Sequence, residues 1–238
     1  MVSLHTVTTS PHACSYLPDQ VARIRYDFVA ALTVEEYGDL MLAGWRRFGR
    51  ALFRPACGAC AACQPLRVVV NEFRPNSSQK RAWKANDGVV ELRVGEPGVT
   101  AEKLALYDAF HEFQHDHQGW PDRGAKDAGS YAEAFVDQPF PVQEWCYFLG
   151  GRLVGVGYVD ALPAGLSAIY FFYDPAERSR SLGTFNVLKL LAAAAGRGDA
   201  YAYLGYHVEG CRSLEYKANF RPFERLVGGK NWLSGRQG

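Results

Sequence analysis

No stretch of the 238-residue chain approaches the ~18 consecutive apolar residues that a membrane-spanning helix needs. The N-terminus also lacks the basic, apolar and small-residue zones of a secretory leader, so a cytoplasmic location is expected. Net charge is scarce: 26 Lys and Arg against 25 Asp and Glu leave +1. That argues against a protein gripping nucleic acid by overall positive charge and leaves room only for local basic patches. There is no internal repeat and no low-complexity tract. What is present, 48% hydrophobic and 21% charged residues, is the composition of a folded globular chain. The length accommodates one large domain or two small ones.

Six cysteines occur: Cys14, Cys57, Cys60, Cys63, Cys146 and Cys211. A reducing compartment keeps them out of a disulfide framework. Three fall in seven residues, Cys57-Gly-Ala-Cys60-Ala-Ala-Cys63, and thiolates at that spacing can converge on one ion or cluster. Cys14 is the only further cysteine in this half, and no second C-x2-C pair exists to complete a zinc ribbon. Small thiols packed beneath a loop explain the pattern equally well.

The chain is organised around residues 169–191. An apolar aromatic run leads into Asp174-Pro175, then Arg178-Ser-Arg180-Ser181-Leu182-Gly183, then an apolar helical segment. This reads as strand, basic loop and helix start. A helix N-terminus offers unpaired N–H groups and the positive end of the macrodipole, and Arg178 and Arg180 add charged donors. The loop approximates the R-x-x-G-x-G/A turn of N-acetyltransferase-type enzymes, with Ser181 at the first glycine position. It is expected to hold a phosphate of a donor substrate beside an acyl transfer. Solvated cap arginines are the plain alternative.

Elsewhere, Thr33 and Glu36 form a capping box, and Tyr37, Leu40, Met41, Trp45 and Phe48 recur at helical spacing, so a helix is predicted over 34–51. Strands are predicted at 66–72 and 89–94. Residues 77–84 read either as a solvated loop or as a cationic surface facing a ligand. A helix capped by Thr100 runs to about 116, and 116–141 reads as loop. Gly150-Gly151 turns a hairpin between 144–149 and 152–160. Strand 166–173, helix 181–195 and strand 201–206 follow. Tyr206, Tyr216 and Lys217, just beyond the last strand, are placed near the loop, where they can order a carbonyl or a phosphate.

His111-Glu112-Phe-Gln-His115 matches the zincin helix pattern, with Glu112 as base. No Gly-x-x-His extension follows, and interleaved Phe110 and Phe113 suit an ordinary half-buried helix.

Together, Cys14-Ser-Tyr-Leu17, Phe53-Arg-Pro55 leading into Cys57, Cys60 and Cys63, Pro65-Leu-Arg-Val68, Ser78-Gln-Lys-Arg81, Phe171-Phe-Tyr-Asp-Pro175, Arg180-Ser-Leu-Gly183 and Tyr216-Lys-Ala-Asn-Phe220 resemble the bacterial leucyl-tRNA–protein transferases. These sit within the wider arginyl-tRNA–protein transferase family. The likeness covers about residues 14 to 232. It implies an α+β fold, with a cysteine-bearing N-terminal α/β region (1–95) packed on an N-acetyltransferase-like (GNAT) domain (96–238). It also implies transfer of leucine from leucyl-tRNA to proteins beginning with Asp or Glu, marking them for degradation in the N-degron pathway. His115 falls where the family carries a histidine, whereas His111 and Glu112 do not belong to its pattern. Eukaryotic relatives have an adjacent Cys-Cys pair and transfer arginine. An iron–sulfur cluster reported there suggests one, or zinc, on Cys14, Cys57, Cys60 and Cys63.

The expected chemistry needs no cofactor. The donor ester is already activated, and an α-amine of pKa about 7.7–8.0 is partly neutral at cytosolic pH. Positioning and oxyanion donors then supply most of the acceleration. Arg178, Arg180 and the amides of Ser181, Leu182 and Gly183 are assigned to the tRNA 3′ end. Asp174 or Tyr206 is assigned to the amine, and Tyr216 and Lys217 to the carbonyl or ribose. Arg54, Arg67, Lys80, Arg81 and Lys84 are candidates for the acidic N-terminus, and Phe171, Phe172 and Tyr173 for the leucine pocket. The protein is expected to work as a monomer, away from membranes. An acetyl-CoA-dependent N-acetyltransferase, a zinc hydrolase on His111 and His115, and a non-catalytic adaptor for acidic N-termini are the competing readings.

Overall fold

The computed structural model describes residues 1–122 and 124–235. Its strands are β1 (Val2–Thr8), β2 (His12–Ala13), β3 (Val21–Ala22), β4 (Ile24–Ala31), β5 (Arg46–Phe48), β6 (Ala51–Pro55), β7 (Gln64–Val69), β8 (Val90–Gly95), β9 (Gln143–Leu149), β10 (Arg152–Leu162), β11 (Gly165–Tyr173), β12 (Tyr201–His207), β13 (Phe223–Val227) and β14 (Asn231–Ser234). The helices are α1 (Val34–Leu42), α2 (Ser77–Asn86), α3 (Ala101–Gln118), α4 (Ala128–Phe135), α5 (Leu182–Arg197) and the short α6 (Arg212–Glu215). The fold is α+β. A large mixed sheet runs β14-β13-β7-β12-β11-β10-β9-β8, and a smaller one runs β1-β4-β6-β5. The expected boundary at 95/96 runs through the large sheet, because β7 and β8 pair with strands from the second half.

Alternation along the central strands builds two cores, one on each face of the large sheet. On one face, α5 supplies Phe185, Leu188 and Leu191 against Leu66, Val68, Tyr147 and Leu204. Trp83 of α2 meets Phe185 edge-on at 5.7 Å, so α2 lies alongside α5. On the other face, Tyr37 and Met41 of α1, Tyr107 and Phe110 of α3, and Tyr131 and Phe135 of α4 pack on Val156, Tyr158 and Phe172. A buried ion pair ties the small sheet to this second face: Arg47 of β5 bonds Asp160 of β10, and both side chains are fully enclosed. Arg47 also lies over the Phe140 ring at 4.5 Å.

The local chemistry explains where the predictions hold and where they fail. Gly150 and Gly151 take φ of 57° and 83°, which gives the tight turn between β9 and β10. Thr33 and Glu36 form the capping box of α1. However, α1 ends at Leu42, because Gly44 adopts φ of 94° and the chain turns into β5. Trp45 and Phe48, predicted on the helix, belong to that turn and strand. Residues 77–84 are not a loop: Asn76 caps α2 and Gln79 completes a reciprocal box. Part of the predicted loop 116–141 is α4, capped by Asp127.

Candidate functional site

The arrangement with chemical potential lies where β11 and β12 part. These parallel strands pair only at Leu166–Ala202 and Ser167–Tyr203, although they run on to Tyr173 and His207. Their carboxyl ends therefore diverge, and the backbone groups along the gap are released from the ladder. Such gaps at the carboxyl ends of parallel strands are where open sheets bind ligands.

On the α5 side, the gap is bounded by the basic loop. Asp174 accepts from the Ala176 amide at 2.9 Å and starts a 3₁₀ turn at Pro175–Arg180. Ser181 takes the left-handed conformation, φ 55° and ψ 47°, and reverses the chain into α5. Arg152 bonds both Asp174 and Glu177, the latter at 2.6 Å. Arg180 bonds Glu177 at 2.9 Å and the Ala85 carbonyl at 3.1 Å, while Asn86 donates to the Arg180 carbonyl at 2.8 Å. Arg180 thus pins the loop to α2. Arg178 is exposed and, among the described residues, pairs with no carboxylate. Lys80, Arg81 and Lys84 are exposed along α2, again without an ion pair among the described residues. The turn and α2 together present a local basic surface on a chain of net charge +1.

The opposite side carries the small sheet. A relay of rings crosses the gap: Tyr170 of β11 meets Phe48 at 5.8 Å, Phe48 stacks on Phe53 at 5.7 Å, and Phe53 meets Tyr206 of β12 at 6.4 Å. The Tyr206 hydroxyl donates to the Gly44 carbonyl at 2.8 Å, and burial raises its pKa. Beside it, Lys217 donates to the Tyr206 carbonyl at 2.8 Å. Burial, then the Arg46 charge, brings the Lys217 ammonium down to about 7. Arg46 is 6% exposed and bonds the Trp45 carbonyl at 2.8 Å, and among the described residues its Nε and Nη2 have no hydrogen-bond partner.

Two other clusters behave differently. Burial, then neighbouring Cys14, Cys57, Cys60 and Cys211, pushes the Cys63 thiol up to about 12. Thiols suit zinc or an iron–sulfur cluster chemically. Yet among the described residues no three His, Cys, Asp or Glu side chains stand as a ligand set. The zincin pattern also dissolves. His111 is buried with Nδ1 at 2.8 Å from the Tyr107 carbonyl and Nε2 at 2.8 Å from the Tyr170 hydroxyl. His115 is exposed and contacts the Trp120 carbonyl at 2.7 Å.

Residues 102–227 match the family described as arginine-tRNA-protein transferase, C terminus, and residues 12–81 match its N terminus. The chain belongs to the arginine-tRNA–protein transferase family. Within that family it is 37% identical over 236 residues to an aspartate/glutamate leucyltransferase of Pseudomonas fluorescens, covering 98% of this chain and 97% of the relative. It is 38% identical to the leucyltransferase of Stutzerimonas stutzeri, covering 98% of each, and 36% identical to that of Chromobacterium violaceum, covering 97% and 94%. Among solved structures, a DUF2156 domain from Agrobacterium fabrum aligns with TM-score 0.47 at 12% identity, covering 69% of this chain and 58% of that one. L-PGS from Bacillus licheniformis aligns with TM-score 0.41 at 12% identity, covering 62% and 46%.

For this member of the transferase family, the expected site residues have the following surroundings. Asp174 bonds Arg152 and caps the turn, so it orders the loop. Tyr206 is a strut between β12 and the small sheet. Arg67 bonds Glu224 at 2.8 Å and is held between the Tyr201 and Trp232 rings at 3.7 and 4.2 Å, so its charge is spent internally. Arg54 lies over Trp45 at 4.8 Å. As the strand neighbour of Phe53, it projects to the other face of β6, away from Tyr206. Lys80, Arg81 and Lys84 lie on α2, beside the basic turn. Phe172 is fully buried in the second core, whereas Phe171 is half-buried on the α5 side and Tyr173, also half-buried, packs against both cores, 5.2 Å from Phe110. Tyr216 is 43% exposed, next to Lys217. Arg46 escaped sequence reasoning, because it sits inside a stretch with helical apolar spacing.

Proposed function

We propose that the protein transfers leucine from leucyl-tRNA to the N-terminal Asp or Glu of proteins in the cytoplasm, marking them for degradation in the N-degron pathway. The observation that carries this reading is the gap between β11 and β12, bordered by a basic turn on one side and an aromatic relay on the other. Strand, turn, helix and a splayed parallel strand in succession support a GNAT-like architecture for the second half. The full-length likeness to leucyltransferases supports leucine and tRNA over acetyl-CoA as the donor.

In the proposed mechanism, Arg178 and the amides of Ser181, Leu182 and Gly183 hold the phosphate of the terminal nucleotide. Arg180 fixes the turn that presents them. Lys80, Arg81 and Lys84 extend the basic track for the acceptor stem, and Tyr216 is a candidate for the terminal ribose. Phe171 and Tyr173 take the leucine side chain. The acceptor's neutral α-amine attacks the ester carbonyl, the carbon–oxygen bond to the ribose breaks, and the amine proton leaves with the ribose hydroxyl through solvent. Amides released from the ladder on β11 beyond Ser167 are suitable donors for the tetrahedral oxyanion. No step is routed through a metal or cluster on the cysteines, and the protein is proposed to act as a monomer.

The test is incorporation of radiolabelled leucine from leucyl-tRNA into a Glu-initiated peptide, with acetyl-CoA and arginyl-tRNA as rival donors. Acetylation of the same peptide, or binding of the peptide without any transfer, rejects the reading in favour of an N-acetyltransferase or an adaptor.

A further inference from the structure

A cation that is buried without a counter-ion is costly, and native structures rarely leave its donors unmade. Arg46 is such a group. It is 6% exposed, two of its guanidinium nitrogens have no partner among the described residues, and it sits 5.7 Å above the Tyr206 ring. A second cation faces the same point. A Cβ added at Gly205 would stand 3.6 Å from Lys217 Nζ and 3.9 Å from Arg46 Nε, with nothing else within 4 Å. Among the described residues, neither side chain forms a salt bridge with a carboxylate. Gly205 takes φ of 78° and is partly exposed, so the recess it leaves opens outward. Two cations that the fold holds together flank the position a side chain at 205 would fill, and such a pair is suited to an anion.

The position narrows which anion. Arg46 belongs to the small sheet, on the face of the large sheet opposite α5 and α2, whereas Lys217 reaches it from the turn Tyr216–Asn219, which Gln79 of α2 bonds at the Asn219 carbonyl. The exposed cations suited to a tRNA backbone, Lys80, Arg81, Lys84 and Arg178, belong to the α2 and α5 side. Gly205 lies on β12 beyond its last pairing with β11. An acceptor entering from the small-sheet side would bring its α-amine to the gap and its first side chain to this recess.

We infer that Arg46 and Lys217, meeting over Gly205, receive the side-chain carboxylate of the acceptor's N-terminal Asp or Glu and so determine acceptor specificity. The inference rests on the proposed transfer function. A rigid guanidinium and a flexible ammonium accommodate either acid, since one methylene is a weak discriminator. Asn or Gln at the same place leaves two cations without a counter-charge and is rejected. The low affinity of the free Lys217 amine for its proton fits a site completed by an anion.

The experiment compares Lys217→Gln, Lys217→Met and Lys217→Arg in steady-state transfer to otherwise identical Glu- and Gln-initiated peptides. Lys217 is partly exposed and makes one hydrogen bond, so these variants retain the fold. Lys217→Gln and Lys217→Met should lower kcat/KM for the Glu peptide about 100-fold, mainly through peptide KM. Transfer to the Gln peptide should fall far less, and KM for leucyl-tRNA should not move. Lys217→Arg should keep most of the preference for the acid. A Glu-to-Gln preference that survives in Lys217→Gln overturns the inference. So does a raised KM for leucyl-tRNA at constant preference, which reassigns the recess to a tRNA phosphate. An equal loss for both peptides, unrelieved in Lys217→Arg, reduces Lys217 to a structural role and also overturns it. If the unmodified protein transfers leucine to no acidic peptide, the proposed function itself fails.

Discussion

Arg178 and Arg180, two residues apart on one turn, should fail in opposite ways. Arg180 bonds Glu177 and the Ala85 carbonyl, so its main work is to hold the turn against α2. Losing those contacts costs about 1.5 kcal/mol, and a chain of this size then melts roughly 3–6 °C lower. Arg178 has no carboxylate partner among the described residues, so Arg178→Ala should leave the melting temperature unchanged. Its proposed phosphate contact, partly screened at an exposed site, is worth about 1–2 kcal/mol, or ~5- to 30-fold in kcat/KM for leucyl-tRNA. A contact to a single-stranded 3′ end also contributes about 0.7 to the slope of log affinity against log salt. Transfer rates at varied leucyl-tRNA and KCl, beside thermal melts, measure both quantities. The reasoning is refuted if Arg178→Ala keeps the KM and salt slope of the parent while Arg180→Ala melts with it.

Three further outcomes follow from the packing. Asp160→Asn removes one member of a pair that is wholly enclosed and strands the Arg47 charge, which should cost about 3–5 kcal/mol in urea or thermal unfolding. A change within experimental error would show that the pair carries no such weight. Ser181→Gly relieves a left-handed L-residue and should raise the melting temperature by roughly 1–3 °C, whereas a decrease would mean that the hydroxyl or Cβ stabilises the turn. Lys217, held at about 7 against an ordinary 10.5, binds fewer protons folded than unfolded between those values, so stability should rise with pH across that window. The rise should be flatter in Lys217→Met, and identical slopes from pH 6 to 9 would dispose of the argument.

The parts of the fold legible in sequence are those whose signals are local. The Gly-Gly hairpin, the capped start of α1 and the strand–turn–helix at 169–191 each carry their own chemistry within a few residues. The α2 helix was equally local, since Asn76 and Gln79 form a capping box. The serine-rich, cationic surroundings masked it. The small sheet was harder, because β1 is exposed along its whole length and shows no apolar alternation to read. Trp45 to Phe48 mimic a helix stripe until Gly44 breaks it, and this hid Arg46. The basic turn was visible as a motif, but which arginine is braced and which is available depends on Glu177 and Ala85, the latter on a distant helix. The meeting of Arg46, Gly205 and Lys217 joins three separate elements, and no spacing rule in one dimension expresses it.

The two faces of the large sheet give a reason why a transferase of this kind needs the small sheet at all. The donor is a large polyanion, and in the proposed arrangement the exposed cations of α2 and the basic turn would meet it on one face. The acceptor is the flexible end of a folded protein, with one amine and one side chain to be recognised. If both approached from the same face, the tRNA would occlude the protein. In the proposed arrangement, the gap between β11 and β12 would let the ester and the amine meet while their bulk stays apart. The small sheet then supplies what the gap alone lacks: an aromatic wall from Tyr170 to Tyr206, and a fixed charge at Arg46. Its attachment through the enclosed Arg47–Asp160 pair holds that charge in register with β12. On this account the Arg47–Asp160 pair is also a positioning device. A variant that replaces both residues with apolar ones should recover much of the lost stability. It should recover less of the preference for acidic over amide N-termini, and full recovery of both would separate the anchor from specificity.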